Sequence, residues 1–200
     1  MSIFIDHSPG FFNLWILMVL YAIPIILTVI LRKRVFEPTS SRFAGSRSAK
    51  EYHLFILSKF LMLFYFLYST VIPIYLNTAI TITGLVLYIL GFVFYSAAWI
   101  TIVRTRKGEV FSRGPFRFSR HPIYVGSAIQ FLGAGFISSS WFFLGLSLLV
   151  GISHMRNAIV EEQICLEIFA DEYRQYMVRT PRWLGWPAKK LEEYKKQSEA

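Results

Sequence analysis

The chain has 200 residues, of which 54% are hydrophobic, 18% aromatic and 16% charged, and its formal net charge is +9. These proportions exclude an ordinary soluble domain, in which about a quarter of the residues are charged. The single cysteine, Cys165, excludes a framework of internal disulfides.

Three apolar stretches in the first half of the chain predict membrane-spanning helices. Residues 11–31 and 79–103 contain no Asp, Glu, Lys or Arg, and residues 54–76 contain only Lys59. A spanning helix needs about 20 predominantly apolar residues, and a lysine near its end extends to the membrane surface. We therefore predict one transmembrane helix in each stretch.

The next uncharged stretch, Pro122–Met155, is too long for a single span. Its 34 residues would form a helix of about 51 Å, whereas the hydrocarbon core of a bilayer is about 30 Å thick. Three serines at 138–140 divide the stretch near its middle. We therefore predict a helical hairpin whose two spans cover about 122–137 and 141–156.

The positions of the basic residues support this count of five spans. All 21 Lys and Arg residues fall within 32–59, 104–120 and 156–196. With five spans and an external N-terminus, every basic residue faces the cytoplasm, as the positive-inside rule requires. We therefore predict an all-α, polytopic membrane helix bundle that forms one domain over residues 1–200. The positive charge then reflects topology and attraction to anionic lipid headgroups rather than nucleic-acid binding.

The segment after the last predicted span has the spacing of an amphipathic helix. Polar and apolar residues alternate with helical periodicity over about 158–177, and Pro181 is expected to end the helix. We predict a cytoplasmic C-terminal helix. The residues along one face of this helix are Glu162, Leu166, Phe169, Tyr173 and Tyr176.

Several chemistries of membrane enzymes have no signature in this chain. Four scattered histidines do not make the clusters of a di-iron enzyme, and no Cys/His spacing indicates zinc, so we predict no metal. There is no P-loop and no G-x-S-x-G elbow. Gly133-Ala134-Gly135 lacks the third glycine of a dinucleotide fingerprint, and we interpret it as close helix packing.

Two polar clusters remain, one at each end of the predicted hairpin. The first helix of the hairpin begins at a cluster of Arg117, Arg120, His121 and Tyr124, and the free N–H groups of its first turn favour an anionic ligand. Glu161 and Glu162 follow its second helix and are able to accept hydrogen bonds from ribose hydroxyls or an ammonium group. Because the hairpin returns to the same membrane face, the clusters are expected to be neighbours. A zwitterionic, nucleotide-like cofactor would match both. Taken singly, the arginines are also explained as determinants of membrane topology, and the two glutamates as solvent-exposed residues at the start of a helix.

The two clusters lie within a pair of motifs. "GPFRFSRHPIYVG", followed after some 35 residues by "EEQICLEIFADEYRQYMVRTPRW", resembles the isoprenylcysteine carboxyl methyltransferase and phospholipid methyltransferase superfamily. The resemblance covers Gly114 to about Trp183. It implies an integral-membrane methyltransferase that uses S-adenosylmethionine and binds it within about 104–186.

The resemblance also implies roles for individual residues. The residues that it implies for cofactor binding are Arg120, His121, Pro122, Tyr124, Gly126, Glu161 and Glu162. Tyr173, Tyr176, Arg179 and Arg182 belong by the same resemblance to the segment that closes the site near the substrate. Ala170 replaces the glycine usual in the family, and in a helix this is expected to be a small change.

The acceptor is expected to be a membrane-embedded, lipophilic molecule. For a prenylcysteine-type or lipid-like carboxylate, which is already ionised, we expect Arg179 to orient the acceptor. A phospholipid amine is the alternative, and it requires a proton acceptor such as Glu162. A second alternative is an NADPH-dependent, sterol-type reductase, because Cys165 follows an acidic pair at the spacing of such enzymes. A scaffold or channel is the weakest interpretation, since Lys59 is the only charge within a span.

Overall fold

The structure, a computed structural model, describes residues 12–31, 49–74, 76, 78–106 and 108–185. Within these residues the chain is all-helical, apart from a single antiparallel bridge between Asn13 and Pro73. The N-terminus, which is predicted to be external, most of the predicted cytoplasmic loop after the first helix and the segment after residue 185 lie outside the described residues.

Five α-helices and one 3-10 turn make up the described part of the chain. The helices are α1 (Trp15–Leu31), α2 (Ala49–Ser69), α3 (Ala79–Arg104), α4 (Pro122–Ile137) and α5 (Trp141–Arg179), and the turn Gly114–Arg117 precedes α4. Three of these helices, α2, α3 and α5, are long and apolar enough to cross a membrane. The other two, α1 and α4, are apolar helices of 17 and 16 residues. The predicted all-helical class is therefore confirmed, and the count of five spans stays a prediction.

The second helix ends earlier than the predicted span at 54–76. It stops at Ser69, and the chain then runs beside the segment before α1, where the Leu14 N–H donates to the carbonyl oxygen of Ile72 at 2.9 Å. Pro73 explains this end, because a proline disfavours helical geometry in the residue before it and donates no backbone hydrogen bond.

Helices α3 and α4 pack at backbone contact through glycines. A Cβ atom added at Gly133 would lie 2.6 Å from the backbone nitrogen of Tyr88, and one added at Gly84 would lie 2.7 Å from the Gly133 carbonyl oxygen. Gly135 faces the other neighbour, since its Cβ would lie 2.7 Å from Cδ1 of Leu144 on α5. The helix-packing interpretation of Gly133 and Gly135 is confirmed.

The hairpin of α4 and α5 turns at the three serines. Ser138 Oγ donates to the Gly135 carbonyl oxygen at 2.6 Å, which satisfies an acceptor at the end of α4. Ser140 Oγ accepts from the Phe143 N–H at 3.3 Å and caps α5. The two ends of the hairpin that bear the polar clusters therefore lie on the same side of the bundle.

Helix α5 is broken at Ala170, whose φ of 42° and ψ of −115° are not helical. The predicted amphipathic helix over 158–177 is therefore not continuous. The expectation that alanine is a small change here is also corrected, because positive φ is a conformation that glycine adopts freely and a residue with a Cβ adopts only with strain. The helical end is as predicted, since α5 stops at Arg179, shortly before Pro181.

Candidate active site

The two polar clusters meet where α4 begins and where α5 has passed its apolar part. Pro122 is the first residue of α4 and His121 its N-cap, which makes no side-chain cap to the helix. The uncharged part of α5 ends at Met155, so Glu161 and Glu162 lie beyond it.

The carboxylate of Glu162 is the centre of the cluster. Arg120 Nε lies 3.1 Å and His121 Nε2 3.2 Å from its Oε1 atom. Arg182 binds it from the other side in a fork, with Nη2 donating to Oε2 at 2.7 Å and Nε at 3.1 Å from both oxygens. Only 4% of the Glu162 side chain is exposed, against 9% for Arg120. Three cationic groups therefore surround one buried carboxylate.

Glu161 extends this arrangement towards the surface. The Tyr124 hydroxyl donates to Glu161 Oε1 at 2.6 Å, and His121 Nδ1 lies 3.5 Å from Glu161 Oε2. His121 thus lies between the two carboxylates, with a different ring nitrogen towards each. Both nitrogens are donors only in the imidazolium form, so this geometry favours a charged histidine.

These contacts shift the ionisation of both buried groups. Burial opposes the charged form of His121, but hydrogen bonds to Glu161 and Glu162 outweigh it and raise the pKa of His121. Burial alone would raise the pKa of Glu162, whereas hydrogen bonds from His121 and Arg182 and the charge of Arg120 lower it to about 2. The site holds charge at neutral pH although it is buried.

A short segment after α5 lies along the segment before α4. The Arg120 N–H donates to the Pro181 carbonyl oxygen at 2.9 Å, and the Gly185 N–H donates to that of Phe118 at 3.0 Å. Ser119, which is fully buried, accepts from the His121 N–H at 3.0 Å and donates to the Arg182 carbonyl oxygen at 3.2 Å. We name residues 180–185 the closing segment. Sequence reasoning missed Ser119, because one serine within a motif gives no signal of this double contact.

Of the two tyrosines predicted for the substrate side, one supports the turn before α4. The Tyr176 hydroxyl donates to the Phe116 carbonyl oxygen at 2.7 Å. Tyr173 is buried with Tyr176 and Val110 in a small hydrophobic cluster. The Tyr176 hydroxyl therefore holds the turn that precedes Arg120 and His121, and Tyr173 packs beside Tyr176.

The structure does not bring every predicted residue into the cluster. Arg117, in the turn before α4, and Arg179, at the end of α5, are exposed, and neither side chain makes a hydrogen bond or an ion pair with the two glutamates. Gly126 is buried against α3, where an added Cβ would lie 2.9 Å from the backbone of Tyr95. The predicted residues that do come together are Arg120, His121, Tyr124, Glu161, Glu162 and Arg182.

The side chains of the cluster are suited to the recognition of charged groups. Within the described part of the chain, no group of three or more His, Cys, Asp or Glu side chains is placed to hold a metal ion. The arginines and the imidazolium are donors for an anionic group, and the carboxylates are acceptors for hydroxyl or ammonium groups.

Comparison with known proteins finds one matching family model. The family model described as phospholipid methyltransferase matches residues 79–172, which include α3, α4 and the carboxylates of α5. A comparison with curated proteins finds no match. Residues 79–172 are therefore similar to the phospholipid methyltransferase family, and this match confirms the resemblance to the integral-membrane methyltransferases that the motifs indicated.

Proposed function

We propose that the chain is an integral-membrane methyltransferase that transfers a methyl group from S-adenosylmethionine to a membrane-embedded acceptor. The observation that carries this proposal is the buried carboxylate of Glu162, held against Arg120 and His121 within the segment that the family model matches. The proposal treats the chain as one membrane domain, with the site and the C-terminus cytoplasmic and the N-terminus outside.

The residues of the cluster fit a zwitterionic nucleoside cofactor. Arg120, Arg182 and the first turn of α4 suit its carboxylate, and Glu161 and Glu162 suit its ammonium group and ribose hydroxyls. Tyr124 stacks near His121, with ring centroids 5.8 Å apart, and offers an aromatic face for a base. When bound, S-adenosylmethionine supplies an activated methyl group.

The protein's own contribution is positioning and exclusion of water. His121 and Glu162 have side chains that are 5% and 4% exposed. Charges fixed in such surroundings interact more strongly than in water and need little reorganisation. The closing segment contributes, because Ser119 and Arg120 hold it by their hydrogen bonds and its Arg182 binds Glu162. Methyl transfer is an in-line displacement, and its rate gains mainly from holding the donor and the acceptor in the correct orientation.

The acceptor has two candidate chemistries. A prenylcysteine-type or lipid-like carboxylate needs no base, and Arg179 is the group we propose to orient it. A phospholipid amine is favoured by the description of the matching family, and it must lose a proton. The pKa of Glu162, lowered to about 2, makes this carboxylate a weak proton acceptor, which favours an electrostatic role for Glu162. No feature of the described fold favours the reductase.

Binding of labelled S-adenosylmethionine and of NADPH to purified protein tests the proposal. We expect S-adenosylmethionine to bind the unaltered chain and NADPH not to bind. Glu162→Ala and His121→Ala are expected to abolish S-adenosylmethionine binding, whereas Glu167→Ala, an exposed position on the same helix, leaves it unchanged. Unchanged affinity in both site variants, with NADPH bound instead, would contradict the proposal.

Extraction of product from membranes fed a methyl-labelled donor separates the two acceptors. A methyl ester of a carboxylate releases labelled methanol in mild base, whereas a methylated amine keeps its label. The carboxylate proposal predicts release of the label. Arg179→Ala is expected to lower turnover and to spare S-adenosylmethionine binding, since Arg179 does not contact the cluster.

A further inference from the structure

The two adjacent carboxylates of the cluster differ in burial and in the groups that they contact. The side chain of Glu161 is 31% exposed, whereas that of Glu162 is 4% exposed. Glu161 Oε1 accepts the Tyr124 hydroxyl, and Glu161 Oε2 lies 3.5 Å from His121 Nδ1. The Glu161 carboxylate therefore keeps a side that a ligand is able to reach.

Both oxygens of Glu162, in contrast, are occupied by side chains of the protein itself. Arg182 Nε donates to both oxygens at 3.1 Å, and Arg182 Nη2 donates to Oε2 at 2.7 Å. His121 Nε2 lies 3.2 Å from Oε1. Arg120 Nε adds a positive charge 3.1 Å from Oε1, but this atom makes no hydrogen bond within the described residues. A ligand would therefore have to displace a protein group in order to bind Glu162 directly.

The fork leaves part of the Arg182 guanidinium for other contacts. An arginine has five N–H donors, and here those of Nε and Nη2 face Glu162. Arg182 Nη1 makes no hydrogen bond in the part of the chain that the structure describes, and 39% of the Arg182 side chain is exposed. Because two parallel hydrogen bonds fix the plane of a guanidinium, Glu162 determines where Arg182 Nη1 points.

The same ion pair holds the closing segment beside the segment before α4. Arg182 lies between Pro181 and Gly185, which form the two backbone hydrogen bonds from the closing segment to that segment. Hydrogen bonds between charged groups are shorter and about twice as strong as neutral ones. The fork between Arg182 and Glu162 is therefore expected to be the strongest single contact that the closing segment makes.

We propose that Glu162 is a positioning residue that acts through Arg182, and that Glu161 is the carboxylate that contacts the ligand. Glu162 holds the closing segment in place and presents Arg182 Nη1 to an anionic group of the ligand. Glu161 accepts hydrogen bonds from hydroxyl or ammonium groups of the ligand. The inference rests on the proposed function for the identity of this ligand, S-adenosylmethionine. The hold of the ion pair on the closing segment is a property of the chain alone.

Hydrogen exchange of the ligand-free protein in detergent, measured at single residues by NMR, tests the hold on the closing segment. The reporters are the amides of Arg120 and Gly185, which donate to the carbonyl oxygens of Pro181 and Phe118. Arg182→Gln is expected to raise both exchange rates about tenfold, because the segment loses its charged hydrogen bonds. Arg182→Lys keeps the charge without the fork, and its exchange rates are expected to be intermediate.

Arg174→Gln is the matched control for these exchange measurements. Arg174 also forms an ion pair of 2.7 Å, with Asp171, but both side chains are mostly exposed. Because exposed ion pairs contribute little to stability, the exchange rates at Arg120 and Gly185 are expected to stay unchanged. Unchanged rates in Arg182→Gln as well would overturn the proposed hold of the fork on the closing segment.

Double-mutant cycles of S-adenosylmethionine affinity, measured by calorimetry, test the division between the two carboxylates. If Glu162 acts through Arg182, Glu162→Gln weakens binding by a smaller factor in the Arg182→Gln background than in the unaltered protein. Glu161→Gln is expected to weaken binding by the same factor in both backgrounds, because Glu161 contacts Tyr124 and His121 rather than Arg182. Equal effects of Glu162→Gln in both backgrounds would overturn the positioning role.

The variants of Arg182 keep the test decisive if Glu162→Gln does not fold, which denaturation temperatures establish. Arg182→Lys is expected to lower S-adenosylmethionine affinity nearly as much as Arg182→Gln, because a lysine has no fork that Glu162 is able to orient. Full affinity in Arg182→Lys would overturn the proposal. Absence of S-adenosylmethionine binding by the unaltered protein would contradict the proposed function, whereas exchange in the ligand-free protein would still decide the role of the fork.

Discussion

Arg182 holds Glu162 in a forked ion pair, with Nη2 and Oε2 2.7 Å apart, although 20 positions separate the two residues along the chain. In a continuous helix these positions would be about 30 Å apart. The break at Ala170 and the closing segment together reverse the chain and bring them into contact. The site therefore depends on a residue, Ala170, that belongs to neither charged cluster.

Ala170→Gly is expected to stabilise the protein. The left-handed conformation at this position costs a residue with a Cβ about 1–2 kcal/mol relative to glycine. We expect a higher denaturation temperature in detergent, measured by intrinsic fluorescence. Ala158→Gly, at a regular helical position of the same helix, should have the opposite effect. Equal destabilisation by both substitutions would show that the strain at Ala170 is absent.

Glu162→Gln is expected to destabilise the protein strongly. The change leaves the charges of Arg120 and His121 buried without their carboxylate, and loss of one partner of a buried pair costs about 3–5 kcal/mol. Glu167→Gln on the same helix faces solvent and should change stability little. Urea denaturation of the three proteins in detergent measures the difference. Similar midpoints for Glu162→Gln and Glu167→Gln would contradict the ion-pair arrangement.

The imidazolium of His121 predicts a dependence of stability on pH. Because its pKa is raised in the folded state, its stabilising contribution is complete below the ordinary histidine pKa of about 6.5 and is lost as pH rises through the raised value. The contribution of Glu162 has the opposite sense, since it is present above the ordinary glutamate pKa and is lost as pH falls towards about 2.

His121→Gln isolates the first effect, since glutamine does not titrate. The difference in denaturation temperature between the unaltered protein and His121→Gln should be largest near pH 6 and should shrink in alkaline buffer. His53→Gln, an exposed position on α2, is the control and should show no such trend. A difference that grows with pH would mean that His121 is neutral in the fold.

The sequence was sufficient for the features that depend on local spacing. The uncharged length after Pro122 predicted the hairpin, and the hairpin predicted that Arg120 and Glu162 are neighbours, which lie 3.1 Å apart. The pattern of the chain itself gives no signal of the break at Ala170, because alanine is the residue most compatible with a helix and the apolar pattern continues through it. The glycine usual at this position in the family was a signal of positive φ. The contact of Arg182 with Glu162 depends on that break, so the pattern of the chain did not predict this contact either.

Tyr176→Phe tests whether the cluster depends on the turn that carries it. The substitution removes only the hydroxyl that donates to the Phe116 carbonyl oxygen, and an unmet buried acceptor costs about 1–3 kcal/mol. We expect a lower denaturation temperature and weaker S-adenosylmethionine binding, because the segment with Arg120 loses a support. Tyr52→Phe, at an exposed tyrosine of α2, should leave both measurements unchanged. Lower stability with unchanged cofactor affinity would show that the turn is not needed to position the cluster.

Gly133→Ala is expected to lower the denaturation temperature of the protein, because α3 and α4 pack closely at this position. Its Cβ would lie 2.6 Å from backbone on α3, which cannot move aside as a flexible side chain can, and such overpacking costs about 1–3 kcal/mol. Gly145→Ala is the matched control, because a Cβ at Gly145 would have no neighbouring atom within 4 Å. This control should raise helix stability, since glycine is unfavourable within helices. Denaturation temperatures that change in the same direction for both variants would contradict backbone contact between α3 and α4.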